Sequence, residues 1–205
     1  MSDSVEKLIG LFSKFPGIGP RQARRFVYHL LEEPESTRSF LVQKISALKS
    51  EMVRCSRCKR FFPTGEAPHQ DLCLICANES RDASLLMVIA RDVDLESVEK
   101  THAFNGTYFV LGGQLRILDK NPESRIRITD LESLVKNSPT LTEIIIAMNA
   151  NTEGDYTAEY VREKLTESSP SRTLKITVLG RGLSTGTELE YSDSETIMYA
   201  LKNRF

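Results

Sequence analysis

The sequence of 205 residues contains no hydrophobic run of about 18 or more residues, the length that a membrane-spanning helix needs. It therefore predicts no membrane-spanning helix. The first ten residues lack a basic segment followed by an apolar one, so we expect no secretory signal and a cytoplasmic protein. Internal repeats and low-complexity tracts are also absent. The content of 40% apolar and 27% charged residues is typical of a globular protein with one large domain or two to three small ones.

A strong net charge is missing as well, since the formal charge is −1 at pH 7. The charges are unevenly distributed along the chain. Residues 1–60 carry twelve Lys/Arg and six Asp/Glu, whereas the remaining residues carry fifteen and twenty-two. A polyanion would therefore meet the N-terminal third of the protein. The alternative is that these charges are scattered by chance over solvated faces.

Glycine is scarce, but two glycines lie in the break between two predicted helices. Apolar residues at helical spacing predict helices over 5–12 and over 20–33, with Pro20 at the first position of the second helix. A third helix is predicted over 35–53, with an apolar side formed by Phe40, Leu41, Ile45, Leu48 and Met52.

The break between the first two helices reads Pro16-Gly17-Ile18-Gly19-Pro20. Its amides, together with the N-terminus of the second helix, offer hydrogen-bond donors to an anion, and glycine lets a phosphate approach the backbone. This arrangement resembles a helix-hairpin-helix, which grips DNA phosphates without reading bases. A plain turn between helices is the alternative. The candidate DNA-binding residues are Gly17, Gly19, Arg21, Arg24 and Arg25.

Cysteine occurs only four times, and all four cysteines lie between positions 55 and 76. Cys55 and Cys58 form one C-x2-C pair and Cys73 and Cys76 form another, with fourteen residues between the pairs. Two such pairs can surround one ion tetrahedrally, and disulfides are rare in the cytoplasm. We therefore expect one structural Zn²⁺ per chain, with redox-active pairs as the alternative. His69 lies in the gap and could replace one ligand.

The chain changes character from Leu85 onward, where short apolar runs alternate with segments of helical pattern. Strands alternating with helices predict parallel β/α units and a three-layer α/β domain. The runs that predict strands are 85–90, 108–111, 143–148 and 174–179. The segments that predict helices are 92–101, 130–136, 154–166 and 194–203.

The segment from Ala147 to Asp155 follows a predicted strand and precedes a predicted helix. Acidic residues at such a strand end can hold a divalent cation near phosphates. Equally, Glu153 and Asp155 can serve only as helix-capping residues that favour the helix dipole. The sequence leaves both interpretations open.

Taken together and in order, these motifs resemble the RecR family of recombination mediators over essentially the whole chain. The resemblance extends to the Gly182–Tyr191 segment and implies a multidomain α/β fold. Its expected parts are a helical helix-hairpin-helix over 1–53, a small four-cysteine zinc finger over 54–80, a Toprim-type α/β domain with a parallel sheet over 81–180 and a C-terminal segment over 181–205.

The resemblance also implies functional residues and partners. Arg21 and Arg25 match basic residues of the family that contact DNA. Asn149, Glu153 and Gly154 belong to the acidic Toprim motif, which the resemblance implicates in contact with RecO. Family members form ring-shaped tetramers that clamp DNA. With RecO they help RecA displace single-strand-binding protein at gaps, and with RecF they act at single–double strand junctions, which implies association with the bacterial nucleoid.

The chain departs from the family pattern at several places. The gap between the cysteine pairs is longer, so that Pro63–Gln70 has the character of an insertion. Ala90 stands where the family usually has a glutamate, and Asn149-Ala150-Asn151 replaces Asn-Pro-Thr. Ser184 and Thr187 replace a proline and a glycine near the C-terminus.

These departures bear on catalysis. Catalytic Toprim domains need a glutamate for proton transfer and an Asp-x-Asp pair for magnesium. Ala90 cannot transfer a proton, and Asp92-Val93-Asp94 has the pair's spacing but follows the first strand instead of the third. We therefore expect a DNA-binding protein and not an enzyme. The alternatives are a Toprim-type metal-dependent nuclease or primase-like enzyme, and a scaffold whose hairpin docks protein.

Overall fold

The computed structural model describes residues 3–66, 71–117, 121–168 and 174–203. The chain divides into two compact units, Met1–Glu51 and Met52–Phe205. Across the described ranges, no helix combines the length and the apolar character that crossing a membrane requires. The domain boundaries expected at residues 54, 81 and 181 remain predictions.

The first unit consists of three helices, α1 (Asp3–Phe12), α2 (Pro20–Glu32) and α3 (Glu35–Glu51). A small core forms where α1 and α2 meet. Its buried residues are Ile9, Ala23 and Val27, with Val5, Leu8, Phe12 and Ile18 packed around them. The Phe12 ring meets the Phe15 and Phe26 rings edge-on, with centroids 5.7 and 6.0 Å apart. The predicted pairing of the first two helices is therefore present.

The predicted third helix differs from the observed one at its end and in its environment. It ends at Glu51, because Met52 already belongs to a strand. None of the described residues of α3 is buried, and the apolar side chains predicted to share one face are 39–58% exposed, namely Phe40, Leu41, Ile45 and Leu48. Periodicity identifies the face that could pack but not what packs against it.

The second unit is built on a parallel four-stranded sheet flanked by helices. The bounds of its elements are β3 (Asp82–Ile89), α5 (Asp92–Glu99), β4 (Gly106–Val110), α6 (Ile128–Lys136), β5 (Glu143–Ala147), α7 (Thr152–Ser168), β6 (Lys175–Val178) and α8 (Ser194–Lys202). The sheet order is β4-β3-β5-β6, and neighbouring strands are parallel throughout. Each run predicted as a strand overlaps one of these strands, which confirms the expected α/β fold with a parallel sheet.

Alternate residues of the strands bury their side chains on opposite faces of the sheet. On one face, Leu86 and Val88 of β3 join a core with residues of α6 and α7, including Leu131 and Val161. On the other face, Met87, Ile89, Tyr108 and Val110 pack with Leu95 of α5 and with three of the cysteines. The four-cysteine segment therefore shares a hydrophobic core with the sheet.

A short antiparallel hairpin leads into that segment. It consists of β1 (Met52–Arg54) and β2 (Phe61–Pro63), with Arg54 opposite Phe61. Phe62 is buried in the core and Phe61 is exposed, as expected for alternate residues of a strand. The second cysteine pair lies at a one-turn helix, α4 (Leu74–Ala77). Sequence periodicity missed the hairpin because three residues per strand are too few to show a period.

Candidate metal centre and nucleic-acid interface

The four cysteines form one buried cluster. The Sγ atoms of Cys55, Cys58, Cys73 and Cys76 all lie within 4.8 Å of one another, and the Sγ atoms of Cys58 and Cys73 are 3.6 Å apart. Four thiolates around a zinc-sized ion at 2.3 Å would have their sulfurs about 3.8 Å apart. All four cysteines are free of disulfide bonds. The donor set and its dimensions therefore fit a tetrahedrally coordinated metal ion.

Backbone hydrogen bonds shape the turn that carries the first pair. The amide of Cys55 donates to the carbonyl of Arg60 at 2.8 Å, and the amide of Lys59 donates to the carbonyl of Cys55 at 3.0 Å. Lys59 lies in the left-handed region with φ of 64°, which allows the chain to reverse directly after Cys58. In the second pair, the Cys73 amide donates to the Cys55 sulfur at 3.5 Å. His69, the alternative ligand, lies outside the described residues.

The electrostatics of the cluster favour a cation at its centre. Hydrogen bonds from the Cys58, Cys73 and Cys76 thiols lower the pKa of Cys55. The hydrogen bond with Cys55 is the main cause that raises the pKa of Cys58, to which burial adds. Against the hydrogen bond with Cys55, which raises it, the hydrogen bonds with Cys58 and Cys76 lower the pKa of Cys73 to about 7. The pKa of Cys76 is raised, mainly by its hydrogen bond with Cys55. Without a cation, the cluster therefore favours thiolates at Cys55 and Cys73 and resists ionisation of Cys58 and Cys76. A bound cation removes that resistance, and four thiolate ligands leave no open coordination position for catalysis.

Three polar contacts attach the hairpin and its cysteine turn to the sheet and to helices α5 and α6. The Val110 amide at the end of β4 donates to the Cys58 carbonyl at 2.8 Å. The Phe61 amide donates to Oδ1 of Asp92 at 2.7 Å, and Lys59 Nζ lies 3.6 Å from Oδ2 of Asp130. Asp92, considered above for its Asp-x-Asp spacing, therefore holds the hairpin. Its neighbour Asp94 accepts a hydrogen bond from the Arg91 amide at 2.8 Å, which caps α5.

The glycine turn of the first unit is exposed. Gly17 has φ of +76°, a conformation that favours glycine. Ile18 packs against the helical core, while a Cβ added at Gly17 or Gly19 would meet no atom within 4 Å. Gly19 has an extended backbone as the N-cap of α2, so its conformation does not demand glycine. Both glycines leave the backbone open to an approaching ligand.

The three predicted arginines lie on the helix that follows this turn. Arg21, Arg24 and Arg25 are exposed on the first turns of α2, and no acidic residue occurs in the first turn of that helix. Amides of the first helical turn have no acceptor within the helix, and cations are unfavourable beside the positive end of the helix dipole. A phosphate at the turn would satisfy the amides and the guanidinium groups together.

The predicted Toprim motif forms the turn between β5 and α7. Asn149 donates from Nδ2 to Oε1 of Gln114 at 3.2 Å, and Asn151 accepts a hydrogen bond from the Gly154 amide at 2.8 Å. Gly154 is buried, and a Cβ there would lie 2.0 Å from the Asn149 carbonyl oxygen. Glu153 is exposed between them. The structure thus brings Asn149 and Gly154 into contact and leaves the Glu153 carboxylate on the surface.

No cluster of acidic residues accompanies this motif in the described part of the chain. Within the described ranges, the four cysteines are the one group of three or more His, Cys, Asp or Glu residues placed to hold a metal ion. At the end of β3, Ala90 is 1% exposed. The two acids Asp92 and Asp94 are engaged in the hydrogen bonds described above.

Sequence reasoning did not find the contacts that attach the C-terminal segment. The Arg181 guanidinium binds the Asp155 carboxylate near the start of α7 and lies 5.3 Å from the centre of the Tyr199 ring. The Arg181 carbonyl accepts a hydrogen bond from Nδ2 of Asn203 at 2.7 Å. These contacts hold the start of the C-terminal segment against α7 and α8, and they assign Asp155 a structural role.

Three family models match successive parts of the chain. The RecR helix-hairpin-helix family matches residues 5–48, the Toprim domain family matches residues 84–179, and the RecR C-terminal family matches residues 182–204. The chain is 36% identical over 204 residues to the recombination protein RecR of Sphingopyxis alaskensis, covering 100% of this chain and 98% of that protein. It is 37% identical over 205 residues to the RecR of Bacteroides fragilis, with 99% and 94% covered. The chain therefore belongs to the RecR family of recombination proteins.

Proposed function

We propose that this chain is a non-catalytic DNA clamp and recombination mediator of DNA repair that acts with RecO and RecF to load RecA at single-stranded gaps. The observation that carries the proposal is the exposed glycine turn, whose open backbone and flanking arginines suit a sugar–phosphate chain. Such contacts read no bases, which suits a protein that acts at gaps of any sequence. We place the protein in the cytoplasm, associated with the nucleoid.

We further propose that the cysteine cluster holds one structural Zn²⁺. Thiolate ligands favour zinc among the abundant divalent ions, and buried tetrahedral sites with four cysteines are typical of structural zinc. Metal analysis of the purified protein should give one zinc per chain. A protein purified without metal, with all four thiols reactive, would contradict this assignment.

The proposed clamp is a homotetrameric ring. In its support, α3 exposes Phe40, Val42, Ile45 and Leu48, and an apolar groove of about 300 Å³ lies between α1, α2 and α3. One glycine turn offers few phosphate contacts, so several turns around one DNA would gain affinity through effective concentration. Light scattering on dilution measures the assembly, and a monomer at micromolar concentration would count against the ring.

We assign the contact with RecO to the turn between β5 and α7, where the Glu153 carboxylate is exposed beside Asn149 and the buried Gly154.

The competing proposal is a Toprim-type metal-dependent nuclease or primase-like enzyme. Ala90 at the end of β3 offers no proton carrier, and Asn149 bonds to Gln114 where a metal-binding acid would be needed. Labelled DNA incubated with Mg²⁺ or Mn²⁺ separates the two proposals, because cleavage that is lost on Glu153→Ala would favour the enzyme.

Charge reversal at the glycine turn tests the clamp directly. The double variant Arg21→Glu plus Arg25→Glu should bind DNA on the order of 10- to 100-fold more weakly, since repulsion replaces attraction at the phosphates. The loss should be similar for unrelated sequences, and the salt dependence of binding should become shallower. RecA loading on gapped DNA covered by single-strand-binding protein should fall in parallel.

Lys136→Glu plus Lys202→Glu provides the matched control, because it reverses two exposed charges outside the glycine turn and outside the α3 face that supports ring assembly. We expect a much smaller effect on affinity from this control. Unchanged affinity after the reversal at Arg21 and Arg25 would instead support a scaffold whose hairpin docks protein.

A further inference from the structure

The positive surplus of the N-terminal third belongs mostly to the second unit. Of the basic and acidic residues among positions 1–60, eight basic and six acidic ones lie in residues 1–51, whereas four basic and no acidic ones lie in residues 52–60. The second unit begins at Met52. We call residues 52–63, which comprise β1, the turn with the first cysteine pair, and β2, the metal knuckle. Its cations are Arg54, Arg57, Lys59 and Arg60.

In the described part of the second unit, five cations outside the knuckle are paired with carboxylates. The recorded pairs are Arg81 with Glu99, Arg162 with Glu159, Lys164 with Glu123, Lys175 with Glu143, and Arg181 with Asp155. In the metal knuckle only Lys59 has such a pair, with Asp130. Over the described residues, no ion pair is recorded for Arg54, Arg57 or Arg60. The knuckle therefore displays guanidinium groups that the fold itself does not neutralise.

Two of these guanidinium groups are fixed against the β1–β2 hairpin. The Arg54 guanidinium lies over the ring of its cross-strand partner Phe61, 4.5 Å from the ring centre. The Phe61 side chain is 44% exposed. Arg60 donates from Nε to the Phe61 carbonyl at 3.3 Å. Groups that are already positioned lose less side-chain entropy when they bind a phosphate.

Arg127 extends the charged surface. It donates from Nη1 to the Val110 carbonyl at 2.9 Å, directly beside the contact between Val110 and Cys58. Burial is the main cause that lowers the pKa of Arg127, and the nearby charge of Arg54 lowers it further. The positive charge of Arg54 thus acts against that of Arg127. A bound anion would relieve this repulsion.

Several negative charges limit the strength of the surface. Asp92 and Asp130 also lie near Arg127, although the first accepts the Phe61 amide and the second pairs with Lys59. A divalent ion with four thiolates carries a formal charge of −2 beneath the surface. The expected contribution to affinity is therefore smaller than that of the glycine turn.

We propose that the metal knuckle is a second nucleic-acid contact, in which Arg54, Arg57 and Arg60, with Arg127 beside them, bind sugar–phosphate backbone independently of the glycine turn. The proposal rests on the DNA-binding function proposed above and adds a surface of the second unit to it. The metal then has a role beyond stability, because it sets the turn that displays these arginines.

The test uses the full chain with its metal and fluorescently labelled 40-nucleotide single strands and duplexes, titrated at several salt concentrations. Arg54→Gln plus Arg60→Gln should weaken binding about 3- to 10-fold and lower the slope of log Kd against log salt by about 1 to 2. Lys136→Gln plus Lys202→Gln removes the same charge from exposed positions of the same unit and should change neither value. Metal content and melting temperature establish that each variant is folded.

A gain of affinity provides a readout that misfolding cannot imitate. Asp130→Asn removes a carboxylate from the surface and releases Lys59, so binding should tighten about 2- to 3-fold, whereas the exposed Glu163→Gln should not change it. If the metal-loaded knuckle variants match their controls in affinity and salt slope while Arg21→Glu plus Arg25→Glu weakens binding as predicted above, the second contact is wrong and the clamp stands. If the unmodified protein binds neither probe, both proposals fail.

Discussion

Metal removal is expected to unfold the α/β unit as a whole, and not only the segment 54–80 that the cysteine spacing delimits. Cys55, Cys58 and Cys73 are buried in the same core as Met87 and Tyr108. Without the ion, this core would retain four polar sulfur groups, and any thiolate among them would be buried without a cation beside it. Structural zinc contributes on the order of 10 kcal/mol, which is comparable to the whole stability of a typical domain.

Cys58→Ser is the sharpest variant for this prediction, because it removes a buried ligand whose carbonyl also accepts the Val110 amide. We expect loss of the metal, a melting temperature lower by more than about 20 °C, and fast amide exchange throughout β3 and β4. Ser56→Ala changes an exposed side chain in the same turn and should retain the metal and the melting temperature. The helices of the first unit share no core residue with the cysteines and serve as an internal reference for exchange.

The opposite result is equally informative. If the metal-free protein exchanges rapidly in residues 54–66 and 71–80 but slowly in β3 and β4, the finger is an autonomous domain, as the boundary at residue 81 predicts. The hydrogen bond between Val110 and Cys58 would then contribute little to the stability of the sheet. Exchange monitored by mass spectrometry distinguishes these outcomes segment by segment.

The parallel sheet could be predicted because each of its strands is recognisable from a short apolar run in the sequence. Central strands covered on both faces require continuous apolar residues, and the runs at 85–90 and 143–148 are of that kind. The cysteine cluster was equally predictable, since two C-x2-C pairs leave few geometric alternatives. The hairpin of β1 and β2 was not predictable, because Met52-Val53-Arg54 continues the helical pattern that precedes it, and only pairing with Phe61–Pro63 makes it a strand.

The site was predictable in its residue types but less so in their roles. The arginines of the glycine turn are exposed as expected, whereas the excess charge of residues 1–60 divides between two units, which no composition count can reveal. Asp92 has the Asp-x-Asp spacing of a metal-binding pair but follows the wrong strand for one, and the sequence does not indicate what it does instead. In the structure it accepts the Phe61 amide, a partner 31 positions away along the chain that local spacing does not indicate. Hydrogen bonds between residues far apart in the chain cannot be predicted from local sequence patterns.

Gly154→Ala is expected to destabilise the second unit by about 2–4 kcal/mol, against the direction that helix propensity suggests. Gly154 lies in the first turn of α7, where alanine would ordinarily favour the helix by up to about 1 kcal/mol. Here the added Cβ would lie 2.0 Å from the Asn149 carbonyl oxygen, so the turn between β5 and α7 must shift. The shift would strain the Asn151 cap on the Gly154 amide and the bond between Asn149 and Gln114.

Gly10→Ala is the matched control, because it makes the same substitution in a helix where we expect the free energy of unfolding to rise instead of fall. Gly10 is exposed within α1, and a Cβ there meets no atom within 4 Å, so alanine should stabilise the first unit by up to about 1 kcal/mol. Urea unfolding followed by circular dichroism measures both variants. A Gly154→Ala protein as stable as the unmodified chain would show that the turn yields easily. In that case the close packing of Gly154 on the Asn149 carbonyl would not be the reason for a glycine at this position. The proposed partner contact of the neighbouring Glu153 would be the remaining reason.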